Sequence, residues 1–429
     1  MVAHIPILRL ALPMIVTNIT VPLLGLVDVA IVGHIGDATY IGAIAVGSMV
    51  FNVIYWVFGF LRMGTSGMTS QALGRRDLTD CTRQLARSCV VALAVAAAIL
   101  VLQAPLKRMA YLIISPEADV VPLVDTYYNI CVWGAPPMLL LYSLSGWLVG
   151  MQNTRLPMVV SITQNVVNIL ASLVLVFALG WRIEGVAAGT LTAQYAGALM
   201  AVALTARYYG RLRIHYHGRG LLRWQAMRRF FSVNTDIFLR TLCLVAVNLY
   251  FLAAGARQGT LILAVNTLLM QLFMLYSYIM DGFAYAGEAL SGRYLGAHND
   301  RALHATVRQL FAWGGAVVVL FTTVYAVWGT PFLHLLTSDA TVVSVSADYF
   351  PWAVAVPVAG MAAFIWDGIF IGTTLTRGML LSSAIATAVF FAVYLLLRPA
   401  LANHALWLAF ILYLLTRGIV QTVVFSGRR

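Results

Sequence analysis

One acidic residue lies inside an apolar run near the start of the chain, where it could bind a proton or a cation. Asp28 is the only charged side chain in residues 13–36, a run long enough to cross a membrane. An ionised carboxylate in hydrocarbon costs about 2.5–3.5 kcal/mol on insertion scales, so a helix carries one only where it faces protein or water or is protonated. We therefore take Asp28 as the first candidate functional residue. The alternative is an acid whose side chain only reaches the membrane interface.

Amide and hydroxyl side chains in the first half of the chain are spaced so that they could surround this acid. Asn165 and Asn168 share one face of a predicted helix, and Ser172 extends that face by one turn. Thr190 and Gln194 are related in the same way on the next helix. Such groups could hydrogen-bond the carboxylate or its protonated form and set the pH at which it binds a proton, or they could only join helix to helix. The predicted network comprises Asn18, Asn165, Asn168, Ser172, Thr190 and Gln194.

The second half of the chain carries a different set of charged residues within apolar runs. Asp236 and Arg240 are four residues apart on one helix, and Asp281 and Glu288 share a face two turns apart on the next. With Asp367, these acids outnumber the nearby cations, which would suit a cationic substrate or an ion. Two simpler interpretations stay open: a structural ion pair of Asp236 with Arg240, and a Glu288 side chain solvated at the helix end.

Aromatic and methionine side chains could line an adaptable surface for drug-like molecules. The candidates for cavity lining are Tyr55, Met63, Met138, Tyr142 and Tyr285, although each could instead pack in a core or face lipid. The sequence contains no nucleotide-binding loop, no catalytic signature and no Cys/His metal spacing. We therefore predict a protein that is not an enzyme and that has no metal or cofactor.

The composition predicts the elements that must position these residues. Of 429 residues, 61% are apolar and 10% are charged, with a mean hydropathy of +0.88. Repeated apolar runs of this length are typical of an all-α integral membrane protein. The predicted helices are 6–34, 39–72, 85–112, 122–151, 156–180, 183–209, 229–254, 259–292, 303–329, 342–373, 378–397 and 404–426. The net charge of +12 resides mostly between the runs, where it favours contact with lipid headgroups rather than with nucleic acid.

The distribution of Lys and Arg predicts the orientation in the membrane. Alternate connections, together with both termini, hold 19 Lys and Arg in one set and 5 in the other. The basic side faces the cytoplasm, so we expect both termini of this multi-pass protein to lie on the cytoplasmic side of a bacterial inner membrane. Asp28 then lies in the outer half of the bilayer.

The chain also repeats itself at an offset of 222 residues. The segment GWLVG at 146–150, with an arginine five residues later, recurs as GIFIG at 368–372 with the same arginine spacing. An even number of helices in each half gives two pseudo-symmetric six-helix bundles with the same orientation, a parallel repeat that is common in transporters. The predicted domains are an N-terminal lobe at 1–207, a basic cytoplasmic linker at 208–228 and a C-terminal lobe at 229–429. Near the first helix the offset falls to about 220, which pairs Asp28 with Asn248.

Several strings along the chain resemble one transporter family. They are RLALPMIVTNITVPLLGLVDVAIVGHIGDATYIGAIAVGS, LRMGTSGMTSQALG, DIFLR, DGFAYAGEALSG, DGIFIG and NHALWLAF. The chain resembles, essentially end to end, the DinF-type branch of the multidrug and toxic compound extrusion (MATE) transporters. The resemblance implies two six-helix bundles around a central cavity, and export of drug-like, often cationic compounds against a proton or sodium gradient.

The resemblance also implies roles for individual residues. It makes Asp28 the protonation site and Pro13 the proline that bends as the acid is protonated, and it maps the polar cluster around the acid onto Asn168 and Thr190. A carboxylate common in the family on the fifth helix is Ser172 here, which favours protons over sodium.

In other branches of the family, carboxylates of the second lobe bind cations, and the matching residues here are Asp236 and Asp367. The position before Asp236, often arginine in this branch, is Thr235.

Together these observations predict a secondary active multidrug exporter that works by alternating access. It would exchange protons, or less readily sodium ions, for cationic or amphipathic drug-like compounds. The partners expected are small molecules and membrane lipids, with the protein a monomer. The alternative is a flippase for lipid-linked or amphipathic substrates, which would need a lateral groove rich in arginine; here most arginines lie in the connections.

Overall fold

A computed structural model describes residues 4–35 and 38–428. Gly36 and Arg429, which enter the sequence argument, lie outside the described residues. Within them the chain is helical and contains no strand. The α-helices are α1 (His4–Gly33), α2 (Ala38–Val57), α3 (Phe60–Gly74), α4 (Leu78–Val101), α5 (Gln103–Ile114), α6 (Val121–Cys131), α7 (Ala135–Gly150), α8 (Arg155–Leu173), α9 (Ile183–Tyr209), α10 (Trp224–Arg257), α11 (Thr260–Gly296), α12 (Asp300–Leu336), α13 (Ala340–Gly372), α14 (Thr376–Leu401) and α15 (Asn403–Ser426).

Twelve helical spans in the described residues are long and apolar enough to cross a membrane, which confirms the predicted number. A helix satisfies its own backbone groups, as hydrocarbon requires. Three further helices arise where a span is interrupted or followed by a short helix. The pairs α2–α3 and α6–α7 each form one span, and α5 is a short helix between spans. The break between α6 and α7 contains a turn of 3-10 helix, and Pro136 and Pro137 follow in the first turn of α7.

The third span differs from its prediction. It runs over Leu78–Val101, whereas the apolar pattern predicted 85–112. The Asp77 side chain accepts a hydrogen bond from the Asp80 backbone N–H at 3.0 Å, so the helix begins about two turns earlier than apolar residues alone indicate. After Leu102 the separate helix α5 starts, with Pro105 in its first turn. A hydropathy pattern extends across such a break because both helices are apolar.

The chain divides into two compact units. One comprises Met1–Ile15 and Thr235–Arg429, and the other comprises Val16–Asn234. Both boundaries fall inside helices, α1 and α10, so each of these helices contributes to both units. The segment predicted as a linker consists of 3-10 helix over Gly210–His215, an irregular stretch and the first turn of α10.

The backbone repeats at the offset of 222 residues. Arg76 and His298 both have left-handed backbone conformations, with φ of 59° and 54°. Each is followed by a helix cap: the side chain of Asn299 accepts a hydrogen bond from the N–H three residues later, as Asp77 does. A second pair of left-handed residues, Gln152 and Thr374, obeys the same offset. The predicted repeat is therefore confirmed at the level of turn and cap geometry.

Glycines allow the same close helix packing in both copies of the repeat, between α3 and α7 in the first and between α11 and α13 in the second. A Cβ on Gly146 would clash with the carbonyl oxygen of Arg62, and a Cβ on Gly368 would clash with that of Ala284. Gly150 and Gly372 meet the backbone one turn further along. Each pair lets two helices approach until backbone touches backbone, as small residues do at membrane helix interfaces.

Candidate functional site

The Asp28 carboxylate lies in the unit Val16–Asn234, on the second half of α1. Its neighbours Ile31 and Val32 are buried in an apolar cluster with residues of α2, α6 and α9, and Val27 packs against that cluster. Asp28 itself is partly buried, and its Oδ1 atom is buried without a hydrogen-bond partner in the described part of the chain. A buried carboxylate oxygen without a donor is costly when charged, so proton uptake or a bound cation would stabilise this arrangement.

Two side chains of α6 lie near the Asp28 carboxylate. They are Tyr127 and Cys131, one helical turn apart and both buried. The Tyr127 ring lies against Gly47 of α2, where a Cβ would clash, and its hydroxyl is 3.4 Å from Ser48 Oγ. Cys131 Sγ lies 3.8 Å from a backbone carbonyl oxygen of α9. These contacts tie the environment of the acid to three helices.

The polar side chains of α8 and α9 are bonded locally. Ser172 Oγ donates to Asn168 Oδ1 at 3.2 Å, one turn apart on α8. Thr190 Oγ1 donates to the Val186 carbonyl oxygen at 3.1 Å, within α9. Among the described residues, no hydrogen bond joins any of them to Asp28. Their role as a supporting network therefore stays a prediction, because their observed bonds satisfy their own helices.

Two other amides of the predicted network have unused hydrogen-bonding capacity. Asn165 Nδ2 and Gln194 Oε1 are buried and have no partner in the described residues. Gln194 packs against Gly134 at the start of α7, so close that a Cβ there would clash. Asn18 lies on α1 in the same unit as Asp28, whereas Pro13, on the first part of α1, lies in the other unit.

The acid Asp367 of α13 lies in the unit formed by residues 1–15 and 235–429, and both of its carboxylate oxygens accept hydrogen bonds. Its Oδ2 atom accepts hydrogen bonds from the guanidinium groups of Arg240, on α10, and Arg417, on α15. Gln421 Nε2 donates to Oδ1 at 2.6 Å. All four side chains are buried. The cluster therefore holds three helices of the unit together through one carboxylate.

The charges of this cluster differ from the sequence-based expectation. Two guanidinium groups share one carboxylate, so the acid is not in excess around Asp367. The Nε atoms of both arginines are buried without a partner in the described residues. Arg417 also lies over the Tyr413 ring, 5.5 Å from its centroid, and interacts with the charge of Asp281. An ion that bound Asp367 would have to displace a guanidinium.

The structural ion pair of Asp236 with Arg240, one of the interpretations left open, is not formed in the described residues. Arg240 pairs with Asp367, and Asp236 accepts a hydrogen bond from Thr376 at 2.8 Å. From the sequence, only the spacing of Asp236 and Arg240 along one helix could be used to predict their partners. In the fold, Asp367 of α13 and Thr376 of α14 contact these two residues of α10. The solvated position considered for Glu288 is also wrong, since this residue is 2% exposed.

The candidate lining residues are divided between the units. Tyr55 is buried in the apolar cluster of its unit and stacks on Phe51 at 6.0 Å, and its hydroxyl has no hydrogen-bond partner in the described residues. Met138 Sδ is 3.7 Å from Gln164 Nε2. The others, Met63, Tyr142 and Tyr285, are partly buried. Tyr55 and Met138 thus serve as packing residues, and a role in substrate contact stays a prediction for the set.

Sequence reasoning missed Arg417 and Gln421, which complete the Asp367 cluster, and Tyr127 and Cys131, which lie at Asp28. One signal was available: Arg417 is a charged residue inside an apolar span, the same criterion that identified Asp28. Gln421 follows it by one helical turn. Tyr127 and Cys131 carry no comparable signal, because tyrosine and cysteine are ordinary residues of an apolar helix.

Comparison with known proteins places this arrangement in context. The MatE sequence family matches residues 13–174 and, again, 237–397. The two matches cover most of the chain, and they start 224 residues apart, close to the offset of the internal repeat. Each match therefore covers one copy of the repeat.

Individual relatives and solved structures agree with the family match. The chain is 37% identical over 414 residues to the DNA damage-inducible protein F of Escherichia coli, covering 96% of this chain and 89% of the relative. The outward-facing conformation of a multidrug resistance MATE family transporter of the MOP superfamily superposes with a TM-score of 0.87 at 17% identity, over 99% of this chain and 95% of that one. The Vibrio cholerae MATE transporter VcmN in the bent form gives a TM-score of 0.87 at 18% identity, over 98% and 96%.

Proposed function

This chain belongs to the MatE family of multidrug transporters, and we propose that it exports cationic or amphipathic drug-like compounds in exchange for protons. The observation that carries the proposal is the state of Asp28, a carboxylate within a spanning helix whose buried oxygen has no hydrogen-bond donor. A group in that position changes its interactions most when it gains or loses a proton. It is thus suited to couple proton binding to a structural change.

The proposed cycle begins with a proton that reaches Asp28 from outside the cell. Neutralisation removes the cost of the buried charge and abolishes the attraction for a cationic substrate, which is released outward. Tyr127 and Cys131, which lie near the carboxylate, would then rearrange with it. Opening to the inside returns the proton to the cytoplasm. Coupling requires that proton and substrate favour different states or compete for one site.

Protons are favoured over sodium as the coupling ion because of the surroundings of the two acids. A hard cation needs several oxygen ligands. Both oxygens of Asp367 are already hydrogen-bonded to Arg240, Arg417 and Gln421. On α8, the position at which the family resemblance implies a second carboxylate is Ser172, whose hydroxyl is bonded to Asn168. In the described part of the chain, no second carboxylate is bonded beside either acid.

The proposed setting is the inner membrane of a bacterium, with a monomer whose two termini lie in the cytoplasm. It is supported by the excess of Lys and Arg in alternate connections, 19 against 5. With this orientation, Asp28 near the end of α1 lies towards the outside, where protons enter.

Reconstituted transport tests the proposal. Purified protein in liposomes, loaded with a fluorescent organic cation, should exchange it for protons when a pH gradient is imposed and should not respond to a sodium gradient. Asp28→Asn should reduce exchange to the rate of protein-free liposomes. Asp348→Asn is the matched control, because Asp348 is an exposed acid of α13 and the change in charge is the same. Wild-type exchange by Asp28→Asn would refute the mechanism.

The same liposomes separate an exporter from a flippase. A flippase would move a labelled lipid between leaflets and leave a water-soluble cation in place. Exchange of the soluble cation at a rate that depends on Asp28 is the result expected here.

A further inference from the structure

The segment that enters α10 is strongly basic and lacks acids. Residues 185–235 contain no Asp or Glu, and seven arginines lie between Arg207 and Arg229. In the part of the chain that the structure describes, none of these seven forms an ion pair. Their charge is therefore available to a partner outside the chain.

The backbone of this segment is held by α4. Arg83 donates to the carbonyl oxygen of Arg219 at 3.1 Å, and Arg87 donates to that of Leu221 at 3.1 Å. Since α4 binds carbonyl oxygens, the basic side chains of the segment stay outside these contacts. Arg219 and Arg223 are exposed as a result. The backbone of the segment is thus held against α4, and Arg219 and Arg223 lie on its exposed side.

A pocket of about 340 Å³ opens at the start of α10. It is lined by Gln225, Arg228, Arg229, Ser232 and Val233, a set spaced along one face of the helix. Arg229 donates to Gln71 Oε1 of α3 at 3.3 Å, which fixes its position. Arg228 lines the same pocket and has no hydrogen-bond or ion-pair partner among the described residues. Guanidinium, amide and hydroxyl donors converging on one pocket match the acceptor oxygens of a phosphate group.

Large, exposed apolar side chains lie next in sequence to the residues that line this pocket. Trp224 is 77% exposed and Leu222 is 64% exposed, and Phe231 is about half exposed. All three lie where the basic segment meets a spanning helix, Trp224–Arg257. Tryptophan and arginine at the end of a membrane span are typical of the headgroup region, where the ring contacts acyl chains and the cation contacts phosphate.

We propose that this pocket binds the phosphodiester headgroup of an anionic phospholipid. Arg228, Ser232 and Gln225 would donate to the phosphate oxygens, and Trp224, Leu222 and Phe231 would contact the glycerol backbone and the upper acyl chains. Charge complementarity favours an anionic over a zwitterionic lipid, because seven arginines without an ion pair in the described residues attract net negative charge. The apolar rim favours a lipid over a soluble phosphate, which would leave Trp224 and Leu222 without contacts.

Lipid retention measured by native mass spectrometry tests the proposal. Full-length protein extracted from bilayers of phosphatidylglycerol and phosphatidylcholine in equal amounts should retain phosphatidylglycerol preferentially. Arg228→Gln should lower that preference about fivefold, the change that corresponds to about 1 kcal/mol for one arginine at a membrane surface. Ser232→Ala, which keeps the net charge, should lower it by a smaller factor.

The matched control is Arg211→Gln, which removes the same charge from the same basic segment outside the pocket. It should lower the preference clearly less than Arg228→Gln does, because Arg211 contributes only general attraction to negative charge and lies outside the pocket. Equal losses in Arg228→Gln and Arg211→Gln would mean general attraction to charge and would overturn the proposal. Equal retention of the two lipids by the wild-type protein would also overturn the proposal. So would a result in which soluble glycerol phosphate displaces phosphatidylglycerol from the protein as readily as from a detergent micelle without protein. Thermal unfolding of each variant shows that it is folded, and no transport measurement enters the test.

Discussion

In the unit Val16–Asn234, the buried oxygen of Asp28 has no hydrogen bond within the described residues, whereas in the other unit both oxygens of Asp367 are bonded to Arg240, Arg417 and Gln421. Each acid lies on a spanning helix of one copy of the same repeat. One acid is therefore chemically available and the other is held in a structural cluster. Similar helices can thus hold a carboxylate with an unbonded oxygen in one unit and a fully hydrogen-bonded carboxylate in the other.

The difference arises in the side chains and not in the backbone. The offset of 222 residues relates Gly146 to Gly368 in their contacts with a neighbouring helix, but the same offset relates Asp367 to Ser145. Asp28 is related to Asn248, whose amide donates to its own helix at 2.8 Å. Each copy therefore has its acid at a position where the other copy is neutral. Repetition preserved the packing, and the polar chemistry diverged.

The largest loss of stability is expected when the hydrogen-bonded acid, Asp367, is neutralised. Asp367→Asn leaves two buried guanidinium groups without a counter-charge, and removal of one partner from a buried ion pair costs about 3–5 kcal/mol. Asp28→Asn removes a charge that no donor stabilises, so we expect its stability to stay within about 1 kcal/mol of wild type or to rise. Thermal unfolding in detergent, followed by intrinsic fluorescence, measures both. Equal destabilisation by the two substitutions would contradict the distinction.

A smaller effect is expected at the arginines. Arg417→Gln leaves Asp367 with Arg240 and Gln421, so the loss should correspond to one charged hydrogen bond, about 1.5–3 kcal/mol. The exposed Arg377 of α14 supplies the control, and Arg377→Gln should be within about 0.5 kcal/mol of wild type. In a double-mutant cycle, Asp367→Asn combined with Arg417→Gln should be less destabilising than the sum of the single changes. Additivity would show that the two residues do not interact.

The repeat itself predicts a matched pair of effects. Gly146→Ala and Gly368→Ala each place a Cβ against a backbone carbonyl oxygen, so both should destabilise their units by about 1–3 kcal/mol. Gly315→Ala on α12 has open space around it and should be neutral or stabilise by about 0.5–1 kcal/mol through helix propensity. Thermal unfolding in detergent, followed by intrinsic fluorescence, measures the stability of all three variants. A tolerated alanine at one of the two positions would show that the close packing is needed in one unit only.

The smallest changes in stability are expected on α9, where two threonines test the proposed support of Asp28. Thr190→Val and Thr192→Val remove equivalent hydrogen bonds to the carbonyl four residues earlier on α9, so both should change stability by about 0.5 kcal/mol or less. If Thr190 supports Asp28, proton-driven exchange should fall in Thr190→Val and stay at wild-type level in Thr192→Val. Equal exchange by the two variants would limit Thr190 to a role within its own helix.

Much of the fold could be predicted from the sequence, because a membrane requires long apolar helices and leaves a direct pattern. The twelve spans and the repeat follow from hydropathy and from recurring strings, and both are present in the structure. The third span was displaced because a polar first turn, capped by Asp77, carries no hydropathy signal. The candidate site was predictable for Asp28, an isolated acid in an apolar run, and less so for its surroundings.

What the sequence by itself determined is where charge enters the apolar spans: Asp28, Asp367, Arg240 and Arg417 all stand out by composition. Which of them meet was decided by tertiary structure alone. Arg240 is four residues from Asp236 along the chain and yet pairs with Asp367, 127 residues away. The physical reason is that a hydrogen bond depends on atoms within about 3 Å, and helix packing sets such distances between residues far apart in sequence. Local spacing therefore identifies the charged residues, and the packing of three helices determines that Asp367 is bonded while Asp28 is left available.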